Sequence, residues 1–287
     1  MSAVRLLTIM LRYGTEAYPR AEAQLTELLD RTLSDAERHL VIVDNALPSD
    51  FQEASRSRTV IGGDNRFREF SGFDRALGHV GRHLGRYDLV HFVTDAFYTL
   101  YVDYLERFNP RLLRFVAGRA ACVGHIDCYN DPIEIFGVRS QHWIRTCFFF
   151  MSPGDVAALG SFVSIKDPAR FFSGDPSAPF RTGAPLSPRY QEYLIDWITG
   201  QQIGQGVEWH SGFALSGETL ASFEQKATAI LNEHALAVRM RALGCRLVDV
   251  TWLSASLQRE PAAAIDLNRS WRHQLANRDQ AAVVVPG

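Results

Sequence analysis

Apolar positions in the first hundred residues alternate between unbroken runs and helically spaced leucines. Residues 4 to 11, VRLLTIML, form a continuous apolar run that ends in the polar RYGTE, as a strand covered on both faces and closed by a loop would. In AEAQLTELLDRTL, Leu25, Leu28, Leu29 and Leu33 recur at helical spacing, and HLVIVDN at 39 to 45 is the next apolar run. A strand, a helix and a strand in that order need a crossover, so the strands are expected to be parallel. TVIGGDN at 59 to 65 reads as the end of a third strand, FREFSGFDRALGHVGRHL as a helix and YDLVHFVTDAF at 87 to 97 as a fourth strand. The pattern predicts an α/β fold with an open, mostly parallel sheet flanked by helices.

The second half has a different texture. HWIRTCFFFMSP at 142 to 153 predicts a strand, and residues 166 to 189 carry five of the twelve prolines and predict a long loop of the kind used for lids and binding. A helix from about Leu220 to Leu243 and a strand CRLVDVTWL are expected to close the fold, leaving residues 254 to 287 peripheral.

Composition narrows the function classes. A chain of 287 residues that is 46% hydrophobic and 22% charged has ordinary globular makeup and length for one large core or two smaller ones. The formal charge of -2 offers no broad cationic surface to neutralise phosphates, so no nucleic-acid partner is expected. Cys122, Cys128, Cys147 and Cys245 form no C-x-x-C pair and read as reduced thiols of a cytoplasmic protein. The apolar run near the amino terminus is too short to span a membrane and lacks a small-residue cleavage site, so no transmembrane segment is expected there.

No phosphate-binding G-x-x-x-x-G-K-[ST], dinucleotide G-x-G-x-x-G, nucleophile elbow, H-E-x-x-H or EF-hand loop occurs. Acids stand at strand ends instead: Asp44 after LVIV, Asp64 after VIGG and Asp95 after LVHFVT. Parallel strands share one carboxyl edge, where ligands bind, so the three acids are expected to line one crevice. The competing reading for each is a turn residue. GHIDCYND at 124 to 131 offers His125, Asp127 and Asp131, with His125 and Asp127 on one face if the run is a strand. A metal-dependent hydrolase on His125, Asp127 and His210 is the least favoured function.

The series LLTIMLRYG, HLVIVDN, GGDNRFREFSGFDRAL, YDLVHFVTDAF and NEHALAVRMRALGCRLVDV resembles the nucleotide-sugar glycosyltransferases of the GT-A, Rossmann-like fold, especially the large family-two group of inverting enzymes. The resemblance runs over residues 4 to 253 and implies one domain from 1 to 253, with a nucleotide-binding half to about residue 110 and an acceptor-binding half beyond it. It places the acid that holds the nucleobase or ribose on Asp44, and the donor segment on Asp64, Asn65 and Arg68. The family's D-x-D falls on TDAF, where Asp95 alone is acidic, so Asp95 is the metal ligand implied and dependence on Mg²⁺ or Mn²⁺ stays open. Arg12, Arg66 and Arg68 are alternative partners for the leaving diphosphate.

The family's E-D pair, which begins a helix, is matched by Glu233 and His234. Glu233 is preferred as general base with His234 in support, but His234 is itself a competent base near neutral pH and the assignment between the two stays open; the competing readings are a solvated helix turn and a satisfied core histidine. Trp209 and His210, in QGVEWHSGF, are the expected acceptor-binding pair. The function implied is inverting transfer of a sugar from a UDP-, GDP- or dTDP-sugar to a hydroxyl of a glycan or lipid-linked glycan, in bacterial surface-polysaccharide assembly. Its place would be the cytoplasm, with peripheral association at the inner face of the membrane left open. The rival is a non-catalytic GT-A-like module that binds a glycan or a partner protein.

Overall fold

Leu6, Leu7, Ile9 and Met10 of strand β1 (Arg5–Arg12) are wholly buried, which requires a neighbour on each edge and a layer on each face. These are supplied in chain order by α1 (Ala21–Thr32), β2 (Glu37–Asp44), β3 (Gln52–Ala54), β4 (Arg58–Gly62), α2 (Glu69–Val80), β5 (Leu89–Thr94) and α3 (Pro110–Val116). Then follow β6 (Ala121–Ile135), β7 (Val138–Met151), α4 (Pro153–Leu159), α5 (Pro188–Thr199), α6 (Leu220–Ala242), β8 (Arg246–Asp249), α7 (Val250–Arg259) and α8 (Trp271–Ala276). The structure, a computed structural model, describes residues 3–99, 103–200 and 212–278.

The eight strands form one sheet in the order β3-β4-β2-β1-β5-β7-β6-β8. Strand β1 pairs in parallel with β2 and β5, β2 with β4, and β6 with β8, whereas β3 on β4 and β7 on β5 are antiparallel. The sheet is therefore mixed but mostly parallel and flanked by helices, as the apolar runs predict. No helix among the described residues is long and apolar enough to cross a membrane.

The chain forms two compact units. The first comprises Met1–Ile126, Ile144–Phe162 and Met240–Gly287, and the second Asp127–Trp143 and Val163–Arg239. Phe92 stacks on Phe149 at 4.9 Å in the first core, with Phe73 set edge-on to Phe92. Phe180 lies between Phe172 and Phe223 in the second, at 5.6 and 5.8 Å.

Two expectations for the carboxyl-terminal region are corrected. The strand expected over CRLVDVTWL ends at Asp249, because that carboxylate accepts the Trp252 N–H at 3.0 Å and starts α7 from Val250. Residues after 253 are not peripheral: Leu257 is buried, and the buried Gln274 accepts the Asp249 N–H at 2.7 Å while donating to the Leu247 carbonyl. Gln274 thereby satisfies backbone groups at β8, a role that hydrophobic patterning does not reveal.

Candidate functional site

Parallel register brings the ends of four strands of the first unit level. Arg12 lies opposite Asp44, Asp44 opposite Gly62, and Leu11 opposite Thr94. Asp44 and Asp95 therefore come to one sheet edge, with Asp64 on the loop two residues past β4.

The three acids have different environments. Asp44 is 3% exposed; its Oδ1 accepts the N–H groups of Gly14 (2.9 Å) and Ala46 (3.0 Å), and its Oδ2 accepts Arg12 Nε (2.7 Å). Burial opposes its charge, yet the Gly14 amide, the Arg12 guanidinium and the Ala46 amide together hold the carboxyl below its usual range. Asp44 is thus a clamp on the turn after β1, as its turn-residue reading foresaw, with little free acceptor capacity. Asp64 is exposed and accepts the Arg66 N–H at 3.0 Å.

Asp95 is half-buried and accepts the Tyr13 N–H at 3.1 Å. Burial pushes its carboxyl up against the pull of backbone N–H groups, and the Asp44 charge adds to the rise. Glu69, at the start of α2, is pushed up the same way by burial, with Asp95 contributing. Two acids raised by desolvation on one edge form an electrostatic environment that a cation would relieve. Glu69 was missed in the sequence because it reads as an ordinary first-turn acid.

Backbone geometry shapes the loop that carries Asp64. A Cβ on Gly62 would lie 1.7 Å from the Pro48 carbonyl oxygen, and one on Gly63 would lie 1.9 Å from Asn45 Oδ1. Asn45 donates from Nδ2 to Asn65 Oδ1 at 3.2 Å and accepts the Asn65 N–H at 3.3 Å, which joins the loops after β2 and β4. Asn65 and Arg68 both have positive φ, at 50° and 51°, conformations that side chains other than glycine adopt at a cost. Arg68 and Arg66 are exposed. Arg12 is not available to a diphosphate, since it is paired with Asp44 at 2.7 Å and Glu22 at 3.2 Å; Glu22 also binds Arg58.

Glu233 and His234 belong to the second unit and lie in the interior of the 23-residue α6, not at a helix start. A helix start would have favoured an ionised Glu233; the interior position does not, because the helix field is concentrated in the terminal turns. His234 is 2% exposed inside an aromatic cage, with its ring centroid 4.2 Å from Trp143 and 5.3 Å from Tyr129. Its Nδ1 faces the hydroxyls of Tyr190 and, at 3.3 Å, Tyr129. Desolvation lowers the imidazole to about 3, so it is neutral at physiological pH. The core-histidine reading describes this residue; a base needs reach to a substrate proton, which such burial denies.

Glu233 is half-buried, and its charge adds to the burial that raises the Tyr129 and Tyr190 hydroxyls. Beside it the buried Asn232 accepts the N–H groups of Ser164 (2.7 Å) and Ile165 (2.8 Å) on Oδ1 and donates to the Thr228 carbonyl. The sequence showed these tyrosines and Asn232 no periodic or motif signal, since their partners lie far along the chain. Trp209 and His210 lie outside the described residues.

Of the residues in the hydrolase reading, His210 lies outside the described residues and His125 is engaged by the protein itself. His125 stacks on Tyr104 at 4.9 Å and meets Arg278 Nη1 at 3.0 Å, a cation where a metal would stand. Asp131 is paired with Arg189. Among the described residues no group of three or more His, Cys, Asp or Glu is arranged to hold a metal ion.

No protein-family model and no curated protein matches this chain. Among solved structures, it is similar to a mannosyltransferase from Pyrobaculum calidifontis in complex with GDP-mannose and Mn²⁺, at 13% identity and a TM-score of 0.37, over 99% of this chain and 87% of that one. A likeness of that size leaves the chemistry to be argued from the residues.

Proposed function

We propose that the protein is a glycosyltransferase that binds a nucleotide-sugar donor at the carboxyl edge of the first unit's sheet and transfers the sugar with inversion to a glycan hydroxyl. The observation that carries this reading is the convergence of Asp44, Asp64 and Asp95 on one edge of parallel strands, beside a glycine-opened loop. Asp64, Asn65 and Arg68 are offered as donor contacts, Asp44 as the support that holds the β1 turn in place. Asp95 would hold a Mg²⁺ or Mn²⁺ ion, with Glu69 as a neighbouring carboxyl whose ionised form such an ion would favour. Such hard cations favour carboxylate oxygens, and a diphosphate with waters would complete their coordination; the ion would supply charge for the leaving diphosphate.

Glu233 is the proposed base for the acceptor hydroxyl, with His234 as part of the core behind it. Acceptor binding by Trp209 and His210, a lipid-linked or surface-polysaccharide acceptor and a cytoplasmic location belong to this proposal on the family resemblance. One observation favours the non-catalytic alternative: Asp44 has its carboxylate engaged by the protein itself.

The test is thermal denaturation with UDP, GDP, dTDP and their sugars, with and without Mn²⁺, followed by a turnover assay with the donor that stabilises most. Binding to the folded state raises apparent stability by mass action. A metal-linked rise with one nucleobase supports the donor site; a rise without turnover favours the binding module; no rise for any of them removes the donor site.

A further inference from the structure

Besides Asn65 and Arg68, one other described residue that is not glycine has positive φ: Phe136, at 54°. A bulky aromatic in the left-handed region is a strained choice where asparagine or glycine would be relaxed. Phe136 and Gly137, φ 71°, form the turn between β6 and β7 in the second unit. Of the five exposed large apolar side chains among the described residues, two flank Gly137: Phe136 at 42% and Val138 at 45% exposure. Arg139, next in sequence, is exposed as well.

We propose that this hairpin tip is a shallow membrane anchor, with Phe136 and Val138 entering the interfacial layer of a lipid bilayer and Arg139 at the level of its phosphates. Four features favour a bilayer over a protein. Two apolar side chains on one turn fall far short of the ~800 Å² per partner of a stable protein interface, whereas shallow anchoring needs only a small apolar wedge. The Phe136 N–H is already donated to the Pro185 carbonyl at 2.8 Å, so its entry into an apolar layer leaves that group satisfied. The Phe136 ring also meets Phe171 edge-on at 5.9 Å, which ties the tip to the 166–181 loop. Around the tip, residues 133–139 and 166–181 carry Arg139, Lys166, Arg170 and Arg181 against Glu134, Asp167 and Asp175. The small cationic excess suits an anionic surface without making charge the main attraction.

The proposal is independent of the donor site, since it is read without nucleotide. The full-length protein would be sedimented with vesicles of phosphatidylcholine, alone or with an equal part of phosphatidylglycerol. The parent is expected to bind both, the anionic ones more tightly. Phe136→Asn, which suits the left-handed backbone, should keep or raise the melting temperature while weakening binding to both vesicles about tenfold. Val138→Ser should weaken it in the same direction, and covers the case in which the first variant fails to fold. Arg139→Gln should weaken binding about fivefold on anionic vesicles only. A parent that binds neither vesicle, or folded Phe136 and Val138 variants that bind as the parent does, overturns the proposal. Lipid-free dimers that Phe136→Asn dissociates would overturn it too, and assign the tip to a second copy of the chain.

Discussion

The two units hold similar chemical letters in opposite surroundings. At the sheet edge of the first, Asp64 is exposed, Asp95 is half-buried and the Asn65 and Arg68 backbones are strained. In the second, His234 is enclosed by Tyr129, Tyr190 and Trp143 and kept neutral by desolvation. An acid at an open edge keeps its capacity for a ligand, whereas an imidazole in an aromatic cage has spent one nitrogen on tyrosine hydroxyls. The difference teaches that residue type marks where acid-base chemistry is possible, and that burial decides whether a substrate can use it.

Asp44→Ala should show the largest effect on stability. It leaves the Arg12 guanidinium with Glu22 as its one remaining carboxylate partner among those described and removes the acceptor of two backbone N–H groups, a loss of about 3 kcal/mol expected in chemical denaturation. A stable Asp44→Ala protein that merely bound nucleotide poorly would return Asp44 to the ligand-contacting class. His234→Ala comes next, at about 2 kcal/mol, because it opens a cavity in the cage. If unfolding of that variant matches the parent while turnover disappears, the contrast between the units fails and His234 is catalytic after all.

The third prediction concerns pH. His234 and His91, the latter stacked on Phe150 at 4.3 Å, are both lowered by burial from 6.5 to about 3. Between those values the unfolded chain binds the protons and the folded chain does not, so stability is full above the unfolded value and falls as pH drops through the window. At pH 5 each imidazole removes about 2 kcal/mol relative to neutral pH. Urea unfolding at pH 7 and pH 5 checks this, and His234→Gln should flatten the decline by its own share; an unchanged slope would mean that His234 is solvated.

Much of the first unit was legible in the sequence. VRLLTIML, HLVIVDN and YDLVHFVTDAF became β1, β2 and β5 because strands covered on both faces leave unbroken apolar runs, and acids after such runs mark the carboxyl edge. The chemistry of the second unit was not legible, because it depends on distant contacts: Tyr129 lies 105 residues from His234, and Tyr190 lies 44 away. Local pattern also misread the end of the chain, since nothing in the sequence shows that the carboxylate of Asp249, the last residue of β8, caps α7 and ends the strand there. Helix α6 itself was foreseen, yet the resemblance set Glu233 at a helix start that lies at Leu220.

The smallest structural effect belongs to Asp64→Ala. Its exposed carboxylate accepts one local N–H, so the melting temperature should hardly move while nucleotide affinity falls. Equal affinity would take the loop after β4 out of the donor site.

The most direct test is calorimetric titration of the parent and Asp95→Asn with the nucleoside diphosphate selected by the thermal screen, with and without Mn²⁺. Asparagine keeps an oxygen for the Tyr13 N–H and removes the charge. The account predicts Mn²⁺-enhanced binding in the parent, and in the variant loss of that enhancement with affinity at least about tenfold lower in the presence of metal. Equal, metal-enhanced binding in both proteins, or no nucleotide binding by the parent, would contradict it.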